Sequence, residues 1–201
     1  MAGTNVPLKC NCGAFEALLQ NVSPRTGSHI HCHCQDCQTA ARVLGAEDQL
    51  LPRAGSDIFH TTPAHLTLTK GQEHLACLRL SPRGLMRWYA GCCNTPMFAT
   101  MAHTKLAFMG VWVPSMAPPA ETKLAKVIGK VIAVVRTQDA PMGSPSLKEY
   151  GFNRAGFHVL ARHVSALLQG RSRQTPLFDA EGAPIVTPRV LTKEERLAAQ
   201  K

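Results

Sequence analysis

Seven of the eight cysteines in this chain stand in tight runs: Cys10-Asn11-Cys12-Gly13, Cys32-His33-Cys34-Gln35-Asp36-Cys37 and Cys92-Cys93. Buried, inert thiols scatter through a core and do not gather in doublets and triplets. Thiolates grouped this way, in a chain without a secretion signal, point to zinc before disulfides. Zinc takes four ligands tetrahedrally in a closed structural site, and three plus an open position where it does chemistry. Seven cysteines divide naturally into four and three. Cys10 and Cys12 can reach one ion only if the backbone bends between them, and Gly13 supports such a knuckle. Cys92 and Cys93, at the end of a predicted strand, are the obvious donors of the other two thiolates. Cys32, Cys34 and Cys37 then form the open site, where zinc as a Lewis acid would hold water or an incoming thiol. His31 and His33 each stand in reach as a fourth ligand, a proton shuttle or a supporting group. The plainer reading of either, a histidine facing solvent or the sheet, is the better expectation. Cys77 lies in an apolar run with Leu75, Leu78 and Leu80 and reads as a core residue.

Positioning these ligands falls to a chain that reads as strands and turns from Leu8 to about Val113. Phe15–Val22, His29–Cys34, His65–Thr69, Leu85–Tyr89 and Leu106–Val113 are strand-like. Lys70-Gly71-Gln72 reads as a hairpin turn with Glu73–Leu80 as the partner strand, and Ser81-Pro82-Arg83-Gly84 as a second turn. Asp36 begins the helix or turn after the central cysteines. Beyond Pro114 the pattern changes. Pro114, Pro118 and Pro119 mark a linker or ordered loop, and helix and strand readings compete over Thr122–Val135. The spacing predicts an amphipathic helix over 154–169, with Phe157, Leu160, Ala161, Val164, Leu167 and Leu168 on one face and Gly170 as the stop. Arg154, Arg162 and His163 would take the rest of its surface. Thr192 with Glu195 has capping-box spacing before a short helix, Lys193–Gln200. The expected organisation is a zinc-binding domain over residues 1–113 and an extension over 114–201 packed on it, mainly β and α+β overall.

The 201 residues are 45% hydrophobic, enough for one domain with a sizeable core. Met1–Pro7 has no apolar stretch of signal-peptide type, and no run approaches a membrane span. A soluble protein of the reducing cytoplasm is expected, without a membrane partner. The net charge of +9 attracts anions, whether nucleic acid, membrane or a small acidic substrate. Without a block of five basic residues, and with two Trp and two Tyr, nucleic acid is an unlikely partner.

Together with Arg87-Trp88-Tyr89-Ala90-Gly91-Cys92-Cys93-Asn94-Thr95-Pro96, the two earlier cysteine runs resemble the glutathione-dependent formaldehyde-activating enzyme family, which includes the centromere protein V relatives. The resemblance covers roughly residues 8 to 113. It implies packed antiparallel sheets stapled by zinc, the beta-tent, with one structural Zn2+ and one Zn2+ at an open site. Cys10 and Cys12 match the first pair of the structural site, and Cys32, Cys34 and Cys37 match the open, catalytic site. The third run departs from the pattern. Ala90 stands where the family has its first cysteine of the second pair, Cys92 stands in from a neighbouring position, and Asn94 replaces a glycine. The implied activity is carbon–sulfur lyase or synthase chemistry joining glutathione to formaldehyde, with Arg42, Arg53 and Arg87 near the motifs as candidate carboxylate partners. A non-enzymatic zinc module would instead fill the fourth position with His31 or His33, and a thiol sensor would trade zinc for disulfides.

Overall fold

The computed structural model describes residues 3–143 and 146–200. Alternating apolar and polar residues make β1 (Thr4–Lys9) and β2 (Glu16–Val22), an antiparallel pair whose connection carries the first cysteine run. There follow β3 (Ser28–Cys32), α1 (Gln35–Val43), β4 (Ser56–Thr61) and β5 (Leu66–Lys70). Four more strands, β6 (Leu75–Arg79), β7 (Met86–Ala90), β8 (Thr95–Thr100) and β9 (Met109–Trp112), complete the region read as strands. The remainder contributes α2 (Leu124–Ile128), β10 (Ala133–Val135), α3 (Phe152–Leu168), β11 (Arg189–Val190) and α4 (Lys193–Ala198). Helix and strand thus both occur within Thr122–Val135, on either side of the break at Gly129.

The fold is mainly β, with two sheets of order β1-β2-β5 and β10-β3-β4-β9-β8-β7-β6-β11. Pairing is antiparallel through the interior of both sheets. The two strands contributed after residue 113 join parallel, β10 beside β3 and β11 beside β6, and so close the two edges of the larger sheet. The expected hairpin at Lys70–Gln72 is not formed: β5 pairs with β2 and β6 with β7, so this turn carries the chain from one sheet to the other. Alternation marks a strand but not its partner. Gly71 makes the crossing at φ 66°, and a Cβ there would lie 2.1 Å from the carbonyl oxygen of Ala14. The turn at Ser81–Gly84 does join an antiparallel pair, β6 and β7.

The main core lies between the sheets, where Leu8, Phe15, Leu19, Phe59 and Trp88 are at most 1% exposed. Cys77 is part of this core, and burial pushes its thiol up to about 12, as suits an inert side chain. Trp88 satisfies its indole N–H on the Thr100 hydroxyl at 3.0 Å. On the other face of the larger sheet, Ala40 and Leu44 of α1 pack on Leu78, Leu80 and Leu191. α4 starts with the expected capping box, Thr192 with Glu195, and its Arg196 pairs with Asp36 in the first turn of α1 at 2.9 Å.

α3 packs across β3, β4 and β10 with the opposite face to the one its apolar pattern suggests. Phe157, Leu160, Val164, Leu167 and Leu168 are exposed, while Ala155 and Ala166 are buried. Arg162 donates to the Ser28 hydroxyl at 2.9 Å, and His163 Nδ1 accepts from the Ala107 N–H at 3.1 Å. Two small alanines and these polar bonds dock the helix, so Arg162 and His163 turn inward while Arg154 stays at the surface as expected. Leu168→Lys is therefore expected to change stability by less than about 0.5 kcal/mol, as for an ordinary surface site; chemical denaturation checks it. Among the described residues no helix is long and apolar enough to cross a membrane.

Candidate metal centres and the adjoining cavity

Two turns at one end of the sheets bring the outer cysteines together. The β1–β2 connection bends at Cys10–Gly13, with the Gly13 N–H on the Cys10 carbonyl at 3.0 Å and Gly13 at φ 74°. The β7–β8 connection bends at Cys92–Asn94, with the Cys93 N–H on the Ala90 carbonyl and Asn94 at φ 55°. Asparagine tolerates that left-handed conformation, the role glycine would otherwise fill. A bond from the Asn11 N–H to the Thr95 hydroxyl at 2.9 Å ties one turn to the other. Cys10, Cys12, Cys92 and Cys93 consequently point at one centre, with all four sulfurs within 4.8 Å of one another. The Cys10–Cys12, Cys12–Cys92, Cys10–Cys92 and Cys92–Cys93 sulfur separations are 3.6, 3.4, 3.8 and 3.8 Å. A tetrahedron with 2.3 Å zinc–sulfur bonds has edges of about 3.8 Å, so the four thiols fit a closed zinc site. Although Cys92 is an exposed residue, desolvation of its sulfur within the cluster and hydrogen bonding with Cys12, Cys10 and Cys93 push its thiol up to about 12. Burial raises Cys93 too, but hydrogen bonds from the Thr95 hydroxyl and nearby backbone N–H groups prevail and bring it down to about 6.

Cys32, Cys34 and Cys37 form a second group with sulfurs within 4.8 Å of one another. Cys32 ends β3, Cys34 is the N-cap of α1, and Cys37 lies in the helix's first turn. The Cys37 N–H donates to Cys34 Sγ at 3.4 Å, and Cys37 Sγ lies 3.9 Å from Cys32 Sγ. Hydrogen bonds from Cys32 and Cys34, opposed by burial and reinforced by the Arg87 guanidinium, hold the Cys37 thiol well below its usual range. Hydrogen bonding with Cys34 and Cys37, together with burial, raises the Cys32 thiol. The Arg87 guanidinium lies where it favours the Cys37 thiolate. Neither His31 nor His33 joins the three sulfurs. His33 is 2% exposed and bonded through Nδ1 to the Arg53 carbonyl at 3.0 Å, and His31 turns to the other face of β3, beside Asp57.

All three thiols line a cavity of about 530 Å3 between the larger sheet, α1 and the segment around Val135–Asp139. Its walls are largely apolar, with Ile58, Leu85, Trp88, Phe98, Phe108 and Trp112 among them. Three buried polar atoms that line it have no hydrogen-bond partner: Ser56 Oγ, His60 Nδ1 and Arg87 Nε. Buried polar groups are ordinarily paired, so a ligand with polar atoms is the natural complement. Burial pushes His60 down to about 3, with a smaller contribution from Arg162, and keeps its ring neutral. Of the three arginines expected near the motifs, Arg87 alone lines the cavity; Arg42 pairs with Glu47, and Arg53 donates to the Pro141 carbonyl. Ser56, His60 and Arg136 were not found from sequence, because nothing in their local pattern separates them from ordinary strand and loop residues.

The chain belongs to a family of unknown function, DUF6151, whose model matches residues 2–187. No curated protein sequence matches it. Among solved structures it is similar to a Rhodobacter sphaeroides protein, at 18% identity and a TM-score of 0.42, over 62% of this chain and 96% of that one. That likeness is too distant to bear on function.

Proposed function

We propose that this member of DUF6151 binds two zinc ions, a closed one at Cys10, Cys12, Cys92 and Cys93 and an open one at Cys32, Cys34 and Cys37. The open site would join a thiol to an aldehyde, as the resemblance to glutathione-dependent formaldehyde-activating enzymes implies. One observation carries this reading: an incomplete set of three thiols shares its cavity with three unpartnered polar atoms. In this reading residues 1–113 are the zinc-binding domain. Residues 114–201 are an extension that completes the cavity through Val135, Arg136, Asp139 and Phe152. A reducing compartment such as the cytoplasm keeps the thiols available to metal.

Cys32, Cys34 and Cys37 would hold the zinc, which would supply Lewis acidity and lower the pKa of a substrate thiol toward neutral. The reaction forms the bond from the thiol sulfur to the aldehyde carbon as the carbonyl π bond opens, and the proton lost from the thiol ends on the former carbonyl oxygen; no electrons enter or leave. Arg87 sits where its free N–H can donate to a substrate carboxylate or to the aldehyde oxygen. The hydroxyl of Ser56 and the neutral ring of His60 can hydrogen-bond a polar atom of the substrate and so orient it. The apolar walls exclude water and strengthen each of these interactions.

Zinc content of protein made under reducing conditions tests the reading. Cys34→Ala is expected to carry one zinc fewer per chain than wild type, and millimolar glutathione to protect that ion against a chelator in the wild type. One zinc in both proteins, indifferent to glutathione, would leave a stapled scaffold. Arg87→Met is expected to weaken an anionic thiol by about 10-fold or more, the scale of a lost charge-assisted bond, and to spare a neutral thiol. Competition against the chelator reads both affinities, and equal losses for the two thiols would remove Arg87 from substrate recognition.

A further inference from the structure

On the face of β3 opposite Cys32, the geometry points to a third metal site, built from His29, His31 and Asp57, for one divalent first-row transition ion. His29 and His31 are two residues apart on one strand, so their imidazoles leave the same face. Asp57 is the partner of His31 in the β3–β4 register and brings a carboxylate directly across. His29 Nε2 lies 2.6 Å from Asp57 Oδ1, and His31 Nε2 lies 3.7 Å from the same oxygen. All three ligand atoms are within 4.8 Å of one another. Bonds of 2.0–2.1 Å give a tetrahedron an edge of about 3.3 Å. The two measured separations bracket that value.

The surroundings suit a ligand set. His29 Nδ1 lies 2.9 Å from the Gly129 carbonyl oxygen, an acceptor, so Nδ1 donates and the ring is held with Nε2 toward Asp57. Metal-binding histidines are ordinarily oriented by such a bond from the other ring nitrogen. The proton on the short His29–Asp57 bond is the one an ion would displace. The side chains of His29, His31 and Asp57 are 12%, 27% and 19% exposed, sheltered yet open enough for water or a small ligand to complete the coordination. Two imidazoles and one carboxylate favour zinc or iron(II) over calcium or magnesium, which prefer all-oxygen cages. The site shares no ligand with either thiol group.

Native mass spectrometry in excess zinc tests this on the full chain. Asp57→Asn and His31→Gln are each expected to carry one zinc fewer than wild type. Asp57→Asn combined with Cys34→Ala should carry one fewer than Cys34→Ala alone, which separates this site from the thiol site next to it. Equal zinc in wild type and in both single variants would overturn the proposal. So would a zinc lost in Asp57→Asn or His31→Gln that is the same ion lost in Cys34→Ala. The two single variants are independent, so failure of one to fold leaves the other decisive.

Discussion

Cys12→Ser is expected to destabilise the protein by several kcal/mol, although the substitution is made at an exposed residue. Exposed positions without special partners usually shift stability by no more than about 0.5 kcal/mol, so packing predicts almost nothing here. The expectation comes from the metal proposed at Cys10, Cys12, Cys92 and Cys93. The four thiols belong to two turns, and their link joins the β1–β2 pair of the smaller sheet to the β7–β8 pair of the larger. An ion that binds the assembled ligands and not the unfolded chain adds its binding free energy to folding, about 10–16 kcal/mol in zinc-finger peptides. Losing one of four ligands forfeits a sizeable part of this. Denaturation at fixed free zinc, with and without a chelator, measures it. A Cys12→Ser protein as stable as wild type, and equally indifferent to chelator, would remove the closed metal site.

Cys37→Ala is expected to do the reverse: abolish thiol chemistry and leave the fold standing. Cys37 is one of the three thiols of the proposed open site and lies beside the Arg87 guanidinium, so its loss would deprive that site of a ligand and Arg87 of a partner. A fall of at least about 10²–10³ in kcat/KM is expected, the scale for removing a single preorganised stabilising group. α1 meanwhile keeps its anchor through Ala40 and Leu44 on the larger sheet, and Arg196 still pairs with Asp36. Exchange between free and glutathione-bound formaldehyde, followed by NMR, reads the activity, and thermal unfolding reads the fold. Wild-type exchange rates in Cys37→Ala would exclude these thiols from the chemistry.

Ligand chemistry and local turns were legible in the sequence because both depend on near neighbours. Cys10 and Cys12 with Gly13 beside them announced the first knuckle, and Asp36 the helix or turn after the central cysteines. Thr192 with Glu195 located α4 for the same reason, since a capping box closes within four residues. The helix over 154–169 was legible in extent, because Gly151 and Gly170 flank its periodic run. Which face it buries was not. Its apolar stripe is exposed, because docking depends on what Ser28 and Ala107 offer to Arg162 and His163 from distant parts of the chain.

The sequence alone thus determined the division of seven cysteines into four and three, and the mainly β character of the chain. Thiol spacing and side-chain alternation carry both, and neither needs a partner segment to be known. The tertiary structure alone decided that β5 and β6 enter different sheets, that β10 and β11 close the edges in parallel, and that Ser56, His60 and Arg87 share one cavity with the three thiols. It also decided that His31 faces Asp57 and not the cysteines. Each of these depends on pairing between segments far apart in the chain. Strand register sets that pairing, and moving it by one residue would turn His31 and Cys32 to exchanged faces.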